Sequence, residues 1–578
     1  MNSFKTLFSP FRIGNVTLRN RIVMPPMATN FAGPDGSVNE RHMAYYVERA
    51  RGGVGYITFE HTGVLKQGRA FPNMALIDSD QNIPFFKKLM DAIHQENGKI
   101  VIQINHAGRQ TSSSTTGSPI VAPSAIPCPV RKEMPQELSI EEIQKIVEAF
   151  AMAAWRVKES GADGVEIHMA HGYLINQFLS PFSNKREDEY GSDFDGRMRM
   201  AMEVLRAVRN KVGPDFLVLC RLSADEYVEG GLKLEDAKEI AKALEINGAD
   251  GLHVSACVAA SGHLNHPPYY VEEGVFVHLA QGIKSVVGIP VITVGRIRTP
   301  QLANQILEEN KADLISMGRA LIADPHLPLK TLQGRSQEIL PCISCNRCIL
   351  SIRKGALQCA VNPEAGREGI FKLKKTDRPK RVCIIGGGPA GMKAAQISAQ
   401  RGHQVTLYEE KEKLGGRFLL AAIPPKKEVL KDFVECLNKQ LKKLPIRILS
   451  GKPFDPGLLE KEKPDVVIVA TGAKPFFPPI DGIQTFKAVA VEDVLSGSAS
   501  LGRKVLVVGG GGIGAEVADH LSEKGKEVTL VEMREGIALD QVVHLQHFLN
   551  KRLREKGVQI LTLTKAVRFE KEGLWVED

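Results

Sequence analysis

The chain has 578 residues, 43% of them hydrophobic and 24% charged, ordinary values for a globular protein. That balance excludes a disordered, collagen-like or disulfide-scaffold chain, and no stretch approaches the roughly 20 uninterrupted apolar residues of a membrane helix. Lys and Arg (75) exceed Asp and Glu (66) by nine, spread out except for a basic run at 372–381, so no nucleic-acid partner is expected, while phosphate-bearing cofactors or an anionic substrate suit the sign.

The first twenty residues lack the apolar core of a signal peptide, and the chain reads as cytoplasmic. From there to about residue 324, eight β-rich runs are expected at 21–24, 55–60, 99–105, 164–169, 217–222, 251–256, 290–295 and 314–319. Amphipathic helical stretches such as 141–160, 195–212 and 234–247 separate the later runs. Eight strands mostly followed by helices over about 300 residues is the rhythm of a TIM barrel, an α/β fold.

A barrel of this kind carries its chemistry at the carboxyl ends of the strands, so unusual polar residues should collect there. Gln103, Asn105 and His106 end the third run, His168, His171 and Tyr173 follow the fourth, and Arg221 ends the fifth. Gly295-Arg296 and Gly318-Arg319 close the seventh and eighth. Glycine admits close backbone approach and arginine supplies charge, so the two pairs point to a mononucleotide phosphate.

Nine cysteines are unevenly placed, and Cys342, Cys345, Cys348 and Cys359 form a tight group directly after the barrel. Four thiolates at this spacing can hold zinc or a [4Fe–4S] cluster; three in one short run plus a distant fourth favour iron–sulfur over the separated pairs of a zinc ribbon. Beyond the basic linker, an apolar strand runs into Gly386-x-Gly388-x-x-Gly391, and the next strand ends at Glu409. The pattern recurs as Gly509-x-Gly511-x-x-Gly514 with Glu532. Each is a dinucleotide fingerprint, with pyrophosphate on the helix N-terminus and a carboxylate for the ribose hydroxyls. The acid at 532 favours NADH over NADPH, although Arg534 nearby softens that preference.

The segments 20–27, 103–109, 166–173 and 180–186 resemble the old yellow enzyme barrel. With the cysteine group and two dinucleotide folds behind it, the chain is similar over almost its whole length to the 2,4-dienoyl-CoA reductase, 2-enoate reductase and trimethylamine dehydrogenase group. The resemblance implies FMN in the barrel (1–335), a [4Fe–4S] segment with linker (336–372), an FAD domain (373–500) and an NAD(P) domain (501–578). By the same resemblance Gln103 and Arg221 hydrogen-bond the flavin ring, Pro26, Met27 and Ala28 lie beside it, and Gly295, Arg296, Gly318 and Arg319 hold its phosphate. Arg417 joins the FAD contacts. His168 and His171 grip a substrate carbonyl, and Tyr173 donates a proton.

Two cofactor-related departures stand out: Asn346-Arg347 separates the second and third cysteines where the group often has three residues, and Ala28 replaces the cysteine that bonds the flavin in trimethylamine dehydrogenase. The last nucleotide domain is expected to be curtailed, since no Gly-Asp return segment follows Gly514. The resemblance implies an NADH-dependent ene-reductase for an α,β-unsaturated acid, acyl-CoA or enone. A steroid or bile-acid enone dehydrogenase running in reverse, and an electron-transfer flavoprotein that no longer takes NADH, are the alternatives. Loops 257–273, with His263 and His266, and 111–132 are expected to wall the substrate, and a homo-oligomer is possible.

Overall fold

The computed structural model describes residues 4–484, 488–571 and 573–577. Eight parallel strands form a closed barrel: β1 (Ile22–Met24), β2 (Tyr56–Gly63), β3 (Ile100–Asn105), β4 (Gly164–Met169), β5 (Leu217–Ser223), β6 (Gly251–Ser255), β7 (Val291–Thr293) and β8 (Leu314–Ser316). Each pairs with its neighbour in sequence, and β8 returns to β1. Every residue of these strands is buried. One face fills the barrel and the other lies under helices, which explains apolar runs without alternation.

The helices between them begin where the side chains dictate. Ser139 accepts the Glu142 N–H and Glu142 returns a bond to the Ser139 N–H, a reciprocal cap that starts the helix Ile140–Glu159. Asp193 caps Phe194–Val212 through the Gly196 N–H.

A recurring Ala-Asp pair fixes the amino ends of alternate strands. Asp163 accepts the Ile100 N–H at 2.8 Å, Asp250 the Val218 N–H at 2.8 Å and Asp313 the Val291 N–H at 3.0 Å. Each carboxylate also meets a cation, Lys99, Arg209 and Lys284 in turn. The device pins register at the end of the barrel away from the chemistry, leaving the carboxyl ends to carry function.

The segment through Phe371 forms one compact unit with the barrel, so the cysteine-bearing stretch is part of the barrel unit. Leu357 N–H donates to Thr29 O at 3.0 Å and Asn362 Nδ2 to Ile322 O at 3.0 Å, and Cys348 and Leu357 join the barrel core.

Residues 372–578, with 268–270, form a second compact unit. Its first sheet is parallel, ordered β11 (Ile446–Ser450), β10 (Gln404–Glu409), β9 (Arg381–Ile385), β12 (Val466–Val469). The second runs β13 (Lys504–Val508), β14 (Glu527–Val531), β15 (Gln559–Leu561), also parallel. Among the described residues no helix is long and apolar enough to cross a membrane.

Candidate active site

The polar strand ends converge on one cavity of about 350 Å³ in the mouth of the barrel. Pro26, Met27, Ala28, Gln103, His168, His171, Tyr173, Arg221, Gly295, Arg296, Gly318 and Arg319 all line it. Residues up to 293 positions apart in the chain thus share one surface, as the barrel requires.

The His pair is built by β4 and the turn after it. Ala170 N–H donates to His168 Nδ1 at 3.2 Å, which leaves the His168 proton on Nε2. His168 Nε2 lies 3.3 Å from His171 Nδ1, and His171 Nε2 lies 2.7 Å from Ser255 Oγ. His171 sits in the left-handed region at φ 61°, rare for a side chain of its size, and its N–H is fixed by Ser223 Oγ at 2.9 Å. Burial holds both imidazoles well below the ordinary histidine range, so both are neutral hydrogen-bond donors at pH 7. Tyr173 caps the short helix Leu174–Leu179, its ring 4.9 Å from that of His168. Burial pushes its phenol up to about 12, so it keeps its proton.

Beneath the cavity a polar layer fills the barrel. Gln103 Nε2 donates to Glu166 Oε1 at 2.7 Å, His253 Nδ1 meets Glu166 Oε2 at 2.9 Å, and His253 Nε2 lies 3.2 Å from Ser316 Oγ. The carboxylate occupies the Gln103 amide nitrogen, so the amide oxygen is left for a ligand. Arg221 is buried in the cavity and its Nε has no partner. A buried guanidinium without an acceptor is costly unless a ligand oxygen or nitrogen completes it, and a flavin ring edge offers both.

Arg296 and Arg319 are clamped by residues missed in the sequence reading. Arg296 Nε donates to Ser344 Oγ at 3.2 Å and Arg319 Nη1 to Asn346 Oδ1, while Asn346 Nδ2 donates to His266 O at 2.6 Å. Ser344 and Asn346 are buried and both left-handed, at φ 50° and 53°. Gly295, at φ 130°, has no room for a Cβ, which would stand 3.0 Å from Phe276 N. Burial lowers Arg296 to about 10. These residues fit a flavin phosphate. Among the described residues no Asp or Glu side chain lines the cavity.

His61, at the end of β2, also lines the cavity and was not expected there. Loop 257–273 contributes Ala259, Asn265, His266 and Pro267, but His263 is not among the lining residues. Loop 111–132 is not among the described residues lining this cavity, but its Cys128 and Pro129 line a small pocket that shares Gln110 and Ala259 with it. The loop is tied by Arg109 Nη1, which donates to Ile126 O at 3.1 Å, and by Arg186 Nη1, which donates to Pro123 O at 3.0 Å.

Of the four cysteines, Cys342 and Cys348 reach the cavity. Among the described residues no three Cys, His, Asp or Glu side chains converge tightly enough to ring a single ion. The thiols nonetheless act on one another: Cys342 and Cys345 raise both Cys348 and Cys359, after burial.

In the second unit the glycine turns have the geometry their spacing implies. Gly386 has φ 106°, and a Cβ on Gly391 would fall 1.8 Å from Gly386 O. Gly509 has φ 102°, and a Cβ on Gly514 would fall 1.9 Å from Gly509 O. Around Gly388 the space is open, so the turn can take a phosphate on the helix Pro389–Gln400. Glu409 Oε2 accepts the Gly387 N–H and Glu532 Oε2 the Gly510 N–H, each at 2.7 Å, so both acids brace the turn they follow. Gly511 begins the second helix as its N-cap. Arg417 pairs with Glu492 at 3.4 Å.

Residues 6–338 match the NADH:flavin oxidoreductase / NADH oxidase family, and residues 380–577 match pyridine nucleotide-disulphide oxidoreductase. The chain belongs to the NADH:flavin oxidoreductase / NADH oxidase family. It is a flavin- and pyridine-nucleotide-dependent oxidoreductase. A Thermoanaerobacter brockii NADH oxidase is 46% identical over 93% of this chain and 84% of its own. A cinnamate reductase of Clostridium sporogenes is 36% identical, over 93% of this chain and 84% of its own. Among solved structures, a 2-naphthoyl-CoA reductase complex superposes with a TM-score of 0.96 at 29% identity, covering 99% of this chain and 90% of its own.

Proposed function

We propose that the protein is an ene-reductase that takes electrons from NADH and reduces the C=C bond of an α,β-unsaturated acid or acyl-CoA. The observation that carries this reading is the meeting of two neutral imidazoles and a protonated phenol in one cavity. Relatives named cinnamate reductase and 2-naphthoyl-CoA reductase support the substrate class.

Arg221, Gln103, Arg296 and Arg319 would hold FMN, the turns at Gly386 and Gly509 would hold FAD and NADH, and the four cysteines would hold a [4Fe–4S] cluster. Three cysteines in one short run with a distant fourth suit a [4Fe–4S] cluster better than the separated pairs of a zinc ribbon. When bound, these groups supply hydride at the barrel and pass to it, singly, the electrons that NADH delivers in pairs.

The residues do the rest. Negative charge builds on the substrate carbonyl oxygen as hydride reaches the β-carbon. His168 Nε2–H exchanges His171 Nδ1 for that oxygen, His171 Nε2–H exchanges Ser255 Oγ for it, and the two donors stabilise the charge. Tyr173 delivers its proton to the α-carbon. Among the described residues no carboxylate lines the cavity to pair with an ammonium group, which disfavours amine oxidation. Ala28 on the cavity wall likewise leaves no thiol there to bond the flavin.

The test is anaerobic. The purified chain should release FMN and FAD in equal amounts, bleach on addition of NADH, and recover its colour on addition of cinnamate or an enoyl-CoA. Bleaching without recovery by any such substrate would overturn the reading.

A further inference from the structure

His61 is the one imidazole of the cavity wall that neither the two-histidine grip nor loop 257–273 accounts for. Its ring lies 5.4 Å from that of Tyr173 and 6.3 Å from that of His168. Phe71, 5.4 Å away, packs on the ring and holds it in place. Asn105 Nδ2 donates to His61 Nδ1 at 3.2 Å, which places the proton on Nε2. Nε2 has no partner within the protein and is not among the buried unsatisfied atoms, so it opens on the cavity. Burial lowers the imidazole to about 4, so it stays neutral and keeps this tautomer at any ordinary pH.

A carboxylate has two oxygens to satisfy, and an enal or enone has one. The His168–His171 pair serves one oxygen. A second oxygen left bare in this buried space would cost as much as an unmade charged hydrogen bond. The wall also carries Arg221 and, among the described residues, no carboxylate to repel an anion.

We propose that His61 is a specificity-determining residue that supplies a second oxygen site, so that the enzyme prefers 2-enoates to enals and enones of the same skeleton. This rests on the ene-reductase reading for its meaning but is tested apart from it. Calorimetric titration of the flavin-loaded full chain with benzoate and with benzaldehyde compares two oxygens with one, without turnover. Benzoate should bind the native protein more tightly. His61→Phe should weaken benzoate by about tenfold to a hundredfold and change benzaldehyde by less than about threefold. His61→Gln, which keeps a donor, should restore part of the difference and covers the case in which the Phe variant fails to fold.

Equal weakening of both ligands, an unchanged benzoate affinity in His61→Phe, or no native preference for benzoate would overturn the proposal. Cinnamate and cinnamaldehyde as oxidants of the reduced enzyme complete the test. If neither is reduced while the benzoate contrast holds, the ene-reductase reading falls and the oxygen site stands.

Discussion

In the barrel every strand residue is buried, whereas in the nucleotide-binding unit β12 and β13 leave much of their surface open, with Val469 70% exposed. Yet the glycine turns of that second unit are as sharply defined as anything in the barrel. The contrast separates two ways of making a site. A dinucleotide turn is fixed by its own backbone: at Gly391 and Gly514 the limit is a carbonyl five residues earlier. The barrel site is fixed by packing across the whole sequence, since Gln103 is oriented by Glu166, Glu166 by His253 and His253 by Ser316.

The comparison can be broken at several points. Tyr173→Phe removes the proton donor while leaving the ring's packing, so the rate of substrate reduction should fall by about 10²–10⁴ with flavin reduction by NADH unchanged, as read in separate stopped-flow half-reactions. Gly391→Ala should abolish retention of the second flavin while FMN stays at full occupancy, because the clash is local; flavin analysis of the purified variant decides it. If both flavins are lost, the turn is not the self-contained element described.

Acid should act on the barrel through its buried imidazoles. His61, His106, His168, His171 and His253 all titrate below the ordinary value of 6.5 in the folded protein, through burial. The unfolded chain therefore binds protons first as pH falls. Stability is unaffected above about 6.5 and declines below it, by up to ~1.4 kcal/mol per pH unit for each imidazole until its folded value is reached. Denaturant midpoints between pH 7.5 and 4.5 measure this, and a flat profile would show the imidazoles to be solvated. The smallest effect is expected at the phosphate clamp: Asn346→Ala should raise the FMN dissociation constant about tenfold, as read by fluorescence of the released flavin.

How much was legible in the sequence follows the same division. The eight strands, their polar ends and both glycine turns could be read because each is carried by contiguous residues. His61 escaped because the second strand is expected to stop at residue 60, before a polar Glu-His-Thr run. The run stays in the sheet because Glu60 is satisfied from elsewhere, by Thr29 Oγ1 at 2.7 Å and His42 Nε2 at 2.8 Å. Ser344 and Asn346 were hidden between cysteines that drew the chemical reading to themselves. Nothing local to either residue shows that it supports an arginine from another strand end. Loop 111–132 has the length and place of a substrate wall, and only the contacts of Arg109 and Arg186 reveal how it is tied down.

The clamp also sets a timetable for biosynthesis. A ribosome finishes the eighth strand at Ser316 and delivers Arg319 three residues later, but the props for Arg296 and Arg319 arrive only with Ser344 and Asn346. A nascent chain with a complete barrel still lacks a finished anion cradle. A flavin phosphate held in that cradle would wait until the cysteine loop has emerged and folded back, so the last part of this unit to be made would govern when its first part is complete.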